Sequence, residues 1–247
     1  MITSASTHMG NVRTMNQDAF LIFQMESSSA VVAAVADGMG GHRAGNIASL
    51  LALETVRDFC DANPLMDEIA LGHGCVKNAN EAVYRRALAD VACTGMGTTL
   101  CMGQFYEDHV TIAHVGDSRM YSFTKKDGLM QITHDHSLVQ ELVDMGRINQ
   151  EEATVHPQRN VITRAIGTTA DVTGDVFKVA WEKDEIYLIC SDGLSGEVPP
   201  EQIDLILRSD FSLQQKVELL IQTALGAGGT DNITVILIQN SDDEVRA

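Results

Sequence analysis

The sequence predicts an α+β fold in four layers, an α/β/β/α sandwich of two stacked, mainly antiparallel sheets flanked by helices. Three observations predict it. Short apolar strands lie on both sides of paired helical segments along the chain. Links between successive strands are short, which favours antiparallel neighbours over βαβ crossovers. Apolar residues recur at helical spacing in the first two helical segments, as suits helices packed on the outer faces of sheets.

Taken in order, Leu21 to Gln24 and Ala30 to Ala36 read as strands, and the unbroken apolar character of the second suggests burial on both faces. From Gly45 to about Cys60, Ile47, Leu50, Leu51, Leu53, Val56 and Phe59 recur at helical spacing. A second helix runs from about Asp67 to Asp90 around Ile69, Val76, Ala79, Val83 and Leu88. Thr98 to Phe105, His109 to Val115 and Arg119 to Thr124 read as sequential antiparallel strands of a meander. Lys126-Asp127-Gly128-Leu129 gives a hairpin signal before Leu129 to Ile132. Ser137 to Arg159 is polar and holds Gly146 and Pro157, so residues 137–160 read as a mobile surface flap with one short helix at Leu138 to Met145. Val161 to Ile166, Val176 to Val179 and Glu185 to Cys190 are expected strands. Pro200 to Arg208 and Leu213 to Leu225 are expected helices, and Ile233 to Gln239 is the last strand.

No composition break, repeat or low-complexity linker divides the 247 residues, which are therefore expected to form a single domain, 1–247. With 34 acidic against 17 basic residues the formal charge is −17, which disfavours nucleic acid and anionic membranes as partners. The five cysteines are odd in number, lack Cys-x-x-Cys spacing and lie mostly in apolar segments, pointing to a reducing cytoplasm rather than a disulfide framework. Met1 to Gly10 has no export-signal pattern, and no apolar run approaches the roughly 20 residues that span a bilayer.

The chemistry is carried by five short acidic stretches. They are Asn16-Gln17-Asp18, Asp37 to His42, Gly116-Asp117-Ser118-Arg119, Ser191-Asp192-Gly193 and Thr230-Asp231-Asn232. In four of them the aspartate adjoins a run of small or β-branched apolar residues, so a fold that brings those strand ends together gathers carboxylates at one mouth. Such like charges repel and push one another towards protonation. Hard divalent cations with oxygen ligands, Mg²⁺ or Mn²⁺, relieve that repulsion and commonly sit beside a phosphate. The pattern therefore reads as metal-dependent phosphate chemistry.

Arg13 with Asn16-Gln17-Asp18, Asp37-Gly38-Met39-Gly40-Gly41-His42, Gly97-Thr98-Thr99, Gly116 to Arg119, Ile162 to Gly167, Ser191 to Ser195 and Thr230 to Thr234 occur in this order over nearly the whole chain. In these motifs the sequence resembles the PP2C (PPM) class of metal-dependent serine/threonine phosphatases in its compact bacterial form. The resemblance implies that Asp37 bridges two Mn²⁺ or Mg²⁺ ions, that Gly38 offers its carbonyl to one of them, and that Asp192 and Asp231 complete the other. It implies a third, weaker metal site at Asp117, shared with Asp192. Asp18 would orient metal-bound water, and Arg13 would clamp the phosphate, since a guanidinium presents a fixed fork of donors to two oxygens. His42 is the candidate general acid, because Met39 stands where some relatives carry a histidine; metal-bound water could do the same work.

Plainer readings stand beside these. Asp-Gly and Asp-Asn are frequent turn pairs, an aspartate after a strand often caps the next helix, and His42 could cap the helix near Gly45. His134 and His136 are expected to be structural or hydrogen-bonding residues, and Thr98 and Thr99 to pack or hydrogen-bond within the core. No cysteine has an arginine six positions on, which excludes a thiol phosphatase. A Walker loop, a kinase His-Arg-Asp loop and an EF-hand loop are all lacking. The resemblance thus implies hydrolysis of phosphoserine and phosphothreonine by a metal-activated water, with phosphorylated proteins, a serine/threonine kinase and its targets as partners of a cytoplasmic monomer. The alternative from another class is a catalytically silent module of the same fold that binds a phosphoprotein, which would be expected to have lost a metal ligand or the clamp.

Overall fold

The computed structural model describes residues 1–25, 30–41 and 44–241. In chain order its strands are β1 (Ile2–His8), β2 (Asp18–Gln24), β3 (Val31–Met39), β4 (Gly97–Thr98), β5 (Leu100–Phe105), β6 (His109–Val115), β7 (Arg119–Thr124), β8 (Gly128–Gln131), β9 (Asp175–Ala180), β10 (Ile186–Cys190) and β11 (Ile233–Gln239). The helices are α1 (Ala44–Ala62), α2 (Glu68–Ala89), α3 (Leu138–Asp144), α4 (Gln150–Thr154), α5 (Asp192–Ser195), α6 (Pro200–Arg208) and α7 (Leu213–Ala227). One sheet has the order β1-β11-β10-β7-β8; the other runs β2-β3-β5-β6-β9, with β4 added to the end of β3. Every pairing is antiparallel.

The layers follow from the two-residue period of the strands. On β3, Val32, Ala34 and Ala36 face α1 and α2, while Ala33 and Val35 face the opposite sheet. On β10, Leu188 and Cys190 join the cluster under α6 and α7, while Tyr187 and Ile189 meet the other sheet. All seven of the residues from Val32 to Ala36, Ile189 and Cys190 are fully buried, as their unbroken apolar runs require. The result is the α/β/β/α sandwich. Helix ends are fixed locally: the Asp67 carboxylate caps α2, Pro200 opens α6, and a Ser212–Gln215 capping box opens α7.

Two expectations need correction, and two elements come in addition to those expected. The meander does not continue from β6 to β7: β6 pairs with β5 and β9, whereas β7 pairs with β10 and β8. The Gly116-Asp117-Ser118 link therefore crosses from one sheet to the other, and Gly116 takes a φ of 111° that a side chain would resist. Val161 to Ile166 is not a strand. Its N–H groups serve three separate partners, Val161 donating to the Gln158 carbonyl, Thr163 to that of His136 and Ile166 to that of Thr98, so no ladder forms along it. Ile2–His8, too polar to signal itself, is a strand because it pairs with β11 over seven residues. The flap region holds a second short helix, Gln150–Thr154, closed by an Asn149–Glu152 capping box. The hairpin at Gly128 stands as expected, with a φ of 78°.

Candidate active site

Antiparallel register decides which strand ends meet. Asp18 at the start of β2 lies opposite Asp37 near the end of β3. Cys190, which ends β10, pairs with Arg119 of β7 and Val235 of β11, so Asp192, Asp117 and Asp231 emerge at one end of their sheet. The two ends coincide. Asp37 feels the charges of Asp18, Asp192, Asp117 and Asp231 together. Four strand ends and one crossing link from both sheets thus bring five aspartates to one mouth.

Hydroxyl groups hold the backbone and carboxylates in place. The Asp37 N–H donates to Thr99 Oγ1 at 2.8 Å, and its carbonyl accepts from Thr98 Oγ1 and the Thr99 N–H, each at 2.9 Å. Thr99 Oγ1 also meets Ser118 Oγ at 2.7 Å, joining the Asp37 strand to the Asp117 crossing. Asp18 is buried, and its Oδ2 accepts from Ser191 Oγ and Thr234 Oγ1, both at 2.7 Å and both from the other sheet. Gly38 faces Gly45 of α1 so closely that a Cβ on Gly38 would lie 2.1 Å from the Gly45 carbonyl oxygen. No other residue fits there.

Burial and mutual repulsion set the electrostatics. Burial, opposed by the Thr234 and Ser191 hydrogen bonds and reinforced by Asp192 and Asp231, pushes Asp18 up to about 6. Asp117 rises to about 7 through burial, then through Asp192 and Asp135. Asp37 lies well above the usual carboxylate range, chiefly through burial and then through its acidic neighbours, and Asp192 is raised by burial and Asp231. Two carboxylates about 4 Å apart repel by about 4 kcal/mol at an effective dielectric constant of about 20. A proton or a cation between such neighbours offsets that repulsion.

Among the described residues no three His, Cys, Asp or Glu side chains are already drawn together around an ion position. The donor chemistry nevertheless fits a hard divalent cation. Asp18 Oδ1 and Asp192 Oδ1 are buried without a hydrogen-bond partner, a costly state for carboxylate oxygens unless a cation takes them up. All the candidate side-chain ligands are oxygens, the set that Mg²⁺ and Mn²⁺ prefer.

Arg13 lies at the same mouth, with Nη2 2.7 Å from Asp231 Oδ2. It is also close enough to Asp37 and Asp192 to be drawn by their charges. The guanidinium is half exposed and rests on Asp231, so Asp231 links Arg13 to the acidic cluster. His42 lies outside the described residues. His134 pairs with Asp144 of α3, and the buried His136 ring accepts from the Gly116 N–H and meets Asp175 and Arg164. Arg119 grips Asp135 with Nε and Nη2. Sequence reasoning gave no role to Ser191, Thr234, Ser118 or Asn232. The available signal was their place beside the acidic motifs, but hydroxyl and amide side chains next to aspartates are common in turns.

Comparison with known proteins agrees over the whole chain. The family model for protein phosphatase 2C matches residues 7–229. Serine/threonine phosphatase Stp of Listeria innocua is 37% identical over 239 residues, covering 95% of this chain and 94% of that protein. The crystal structure of serine/threonine phosphatase Stp1 from Staphylococcus aureus superposes with a TM-score of 0.90 at 35% identity, over 96% of this chain and 94% of that one. The catalytic domain of the serine/threonine protein phosphatase PstP, solved in complex with two manganese ions, gives a TM-score of 0.83 at 34% identity over 96% of each chain. With this family's fold, seven motifs in order and an acidic mouth built from both sheets, the chain belongs to the protein phosphatase 2C family.

Proposed function

We propose that this protein is a Mn²⁺- or Mg²⁺-dependent phosphatase that hydrolyses phosphoserine and phosphothreonine in proteins with a metal-activated water. The observation that carries the reading is the convergence of Asp18, Asp37, Asp117, Asp192 and Asp231 with Arg13 at one end of the sandwich. Asp37, Gly38, Asp192 and Asp231 would hold two ions, and Asp117 with Asp192 a third, weaker one. Bound there, the ions supply the charge that lets a water ionise near neutral pH and that offsets the developing charge of the phosphoryl group.

The chain's own residues do the rest. Arg13 binds the phosphate oxygens and stays charged at any working pH. Asp18, its Oδ2 fixed by two hydroxyls and its Oδ1 without a protein partner, orients the attacking water. Thr98 and Thr99 fix the Asp37 backbone, so its carboxylate needs little rearrangement to act. Protonation of the leaving alkoxide falls to His42 or to a water. No helix among the described residues is long and apolar enough to cross a membrane. We place the protein in the cytoplasm as a monomer opposing a serine/threonine kinase.

Hydrolysis of p-nitrophenyl phosphate and of a phosphothreonine peptide after exhaustive chelation, then with Mn²⁺ restored, tests the reading. Activity should vanish and return. Turnover undiminished by chelation refutes metal dependence, and no turnover with any divalent ion leaves the silent module as the better account.

A further inference from the structure

We propose that Asn232 is the positioning residue for Arg13, its side-chain amide clamping both flanks of the loop that carries the guanidinium. The proposal rests on the reading of Arg13 as the phosphate clamp. Residues 9–17 contain no helix or strand, so their shape depends on bonds to other parts of the chain. Three of those bonds come from one side chain. Asn232 Oδ1 accepts from the Gln17 N–H at 2.8 Å, while Nδ2 donates to the Met9 carbonyl at 2.8 Å and the Met15 carbonyl at 3.0 Å.

Both amide protons of Asn232 are thereby used, and only one orientation of the amide satisfies all three backbone groups. The side chain is buried, 4% exposed, where an unmade bond is expensive. Its grip spans the loop: Met9 lies four residues before Arg13, Met15 and Gln17 two and four residues after it. The backbone of Asn232 is tied to the mouth as well. Its N–H donates to Asp231 Oδ1 at 2.8 Å, and its carbonyl lies against Gly193, where a Cβ would come within 1.9 Å. One residue therefore sets how the Arg13 loop sits relative to Asp231, which Arg13 touches, and to the Asp192 turn.

A second, weaker anchor lies on the loop itself. Asn11 Nδ2 donates to the carbonyls of Leu225 and Gly228 at 2.9 and 3.0 Å, and the Asn11 N–H to that of Gly229 at 2.7 Å. Asn11 is exposed, so its removal leaves carbonyls that water can satisfy.

The test is steady-state kinetics of Asn232→Ala, Asn11→Ala and Arg13→Ala singly, and of each asparagine variant combined with Arg13→Ala, using p-nitrophenyl phosphate with saturating Mn²⁺. Asn232→Ala should raise KM about tenfold with kcat changed by less than about threefold, as expected for lost ground-state binding of the phosphate. Asn11→Ala should raise KM in the same direction by about twofold to threefold. In the Arg13→Ala background both effects should disappear, because a residue acting through Arg13 has nothing left to position. Amide hydrogen exchange across residues 9–17 should quicken in Asn232→Ala while β11 keeps its protection. A KM effect that persists undiminished without Arg13, or wild-type KM in a folded Asn232→Ala protein, overturns the proposal. If Asn232→Ala does not fold, the Asn11→Ala pair decides by the same rule. An Arg13→Ala enzyme with unchanged KM overturns the phosphate placement, a result distinct from a raised KM in that variant beside wild-type values in both asparagine variants.

Discussion

Replacing Asp18 by asparagine should make the metal-free protein more stable as the pH rises, while impairing its activity. Asp18 is buried and its carboxyl is pushed from 3.8 up to about 6. A raised folded-state value means that the native state binds more protons than the unfolded chain between those limits. The native state is therefore favoured below pH 4, and that advantage is lost as the pH rises through 6. At about 1.4 kcal/mol per unit, the full loss is about 3 kcal/mol, of which about 2 kcal/mol falls between pH 4.5 and 8. The absolute stability curve of the wild type hides this effect. The buried His114 is lowered to about 4, chiefly by burial, so the unfolded chain takes up a proton there that the native state does not, and that group gains stability over much of the same interval. The difference between wild type and Asp18→Asn cancels His114. Urea melts of both proteins in a chelator from pH 4.5 to 8 should show the variant gaining about 2 kcal/mol on the wild type, or about 4–8 °C in Tm for a chain of this size. Release of the repulsion on Asp37 adds in the same direction. A constant difference, or one that shrinks with pH, refutes the claim that burial and acidic neighbours hold this carboxyl up.

Arg13→Ala should lower kcat/KM about 10–100-fold, mostly through KM, since charge-assisted bonds to phosphate are made before the transition state. The same change should alter stability by less than about 1 kcal/mol, because the Arg13–Asp231 pair is largely solvent-exposed; chemical melts and Michaelis kinetics check both halves. Thr99→Val keeps the shape of the side chain but removes the oxygen that receives the Asp37 N–H and meets Ser118. It should cost about 1–3 kcal/mol and lower kcat more than KM, read from melts and from turnover at saturating substrate.

The layers were legible because apolar period and strand length carry them directly: the runs Ala30 to Ala36 and Ile233 to Gln239 read as strands and correspond to β3 and β11, and the first helix pair announced itself by spacing. The crossing at Gly116 was not legible, since a short link reads the same whether the next strand stays in the sheet or leaves it. Ile2–His8 was missed for the opposite reason: Ile-Thr-Ser-Ala-Ser-Thr-His has weak strand character, and the ladder with β11 supplies what the side chains do not. At the site, the carboxylates stood out as charges at the ends of apolar runs. The hydroxyls and the amide that hold them did not, because Thr99, Ser191, Thr234 and Asn232 act through pairings that span 19 to 227 residues of chain.

The mouth draws its carboxylates from both sheets, so its dimensions depend on the packing between them. Asp18 and Asp37 belong to one sheet, Asp192 and Asp231 to the ends of the other, and the Asp117 link joins the two. The layer between the sheets is filled by Ala33, Val35, Ile112, Ile189 and Ile236, whereas Leu220, on the buried face of α7, packs outside it. Ile236→Ala and Leu220→Ala each remove a fully buried branched side chain, and each should cost about 2–5 kcal/mol. Their effects on the site should differ. A cavity between the sheets lets them shift against one another and loosens the spacing of carboxylates drawn from both, so Ile236→Ala should weaken Mn²⁺ binding measured by calorimetry. A cavity under α7 leaves that spacing alone, and Leu220→Ala should bind Mn²⁺ as the wild type does. Equal losses of affinity in the two variants would mean that global stability, rather than the gap between the sheets, governs how the aspartates are held.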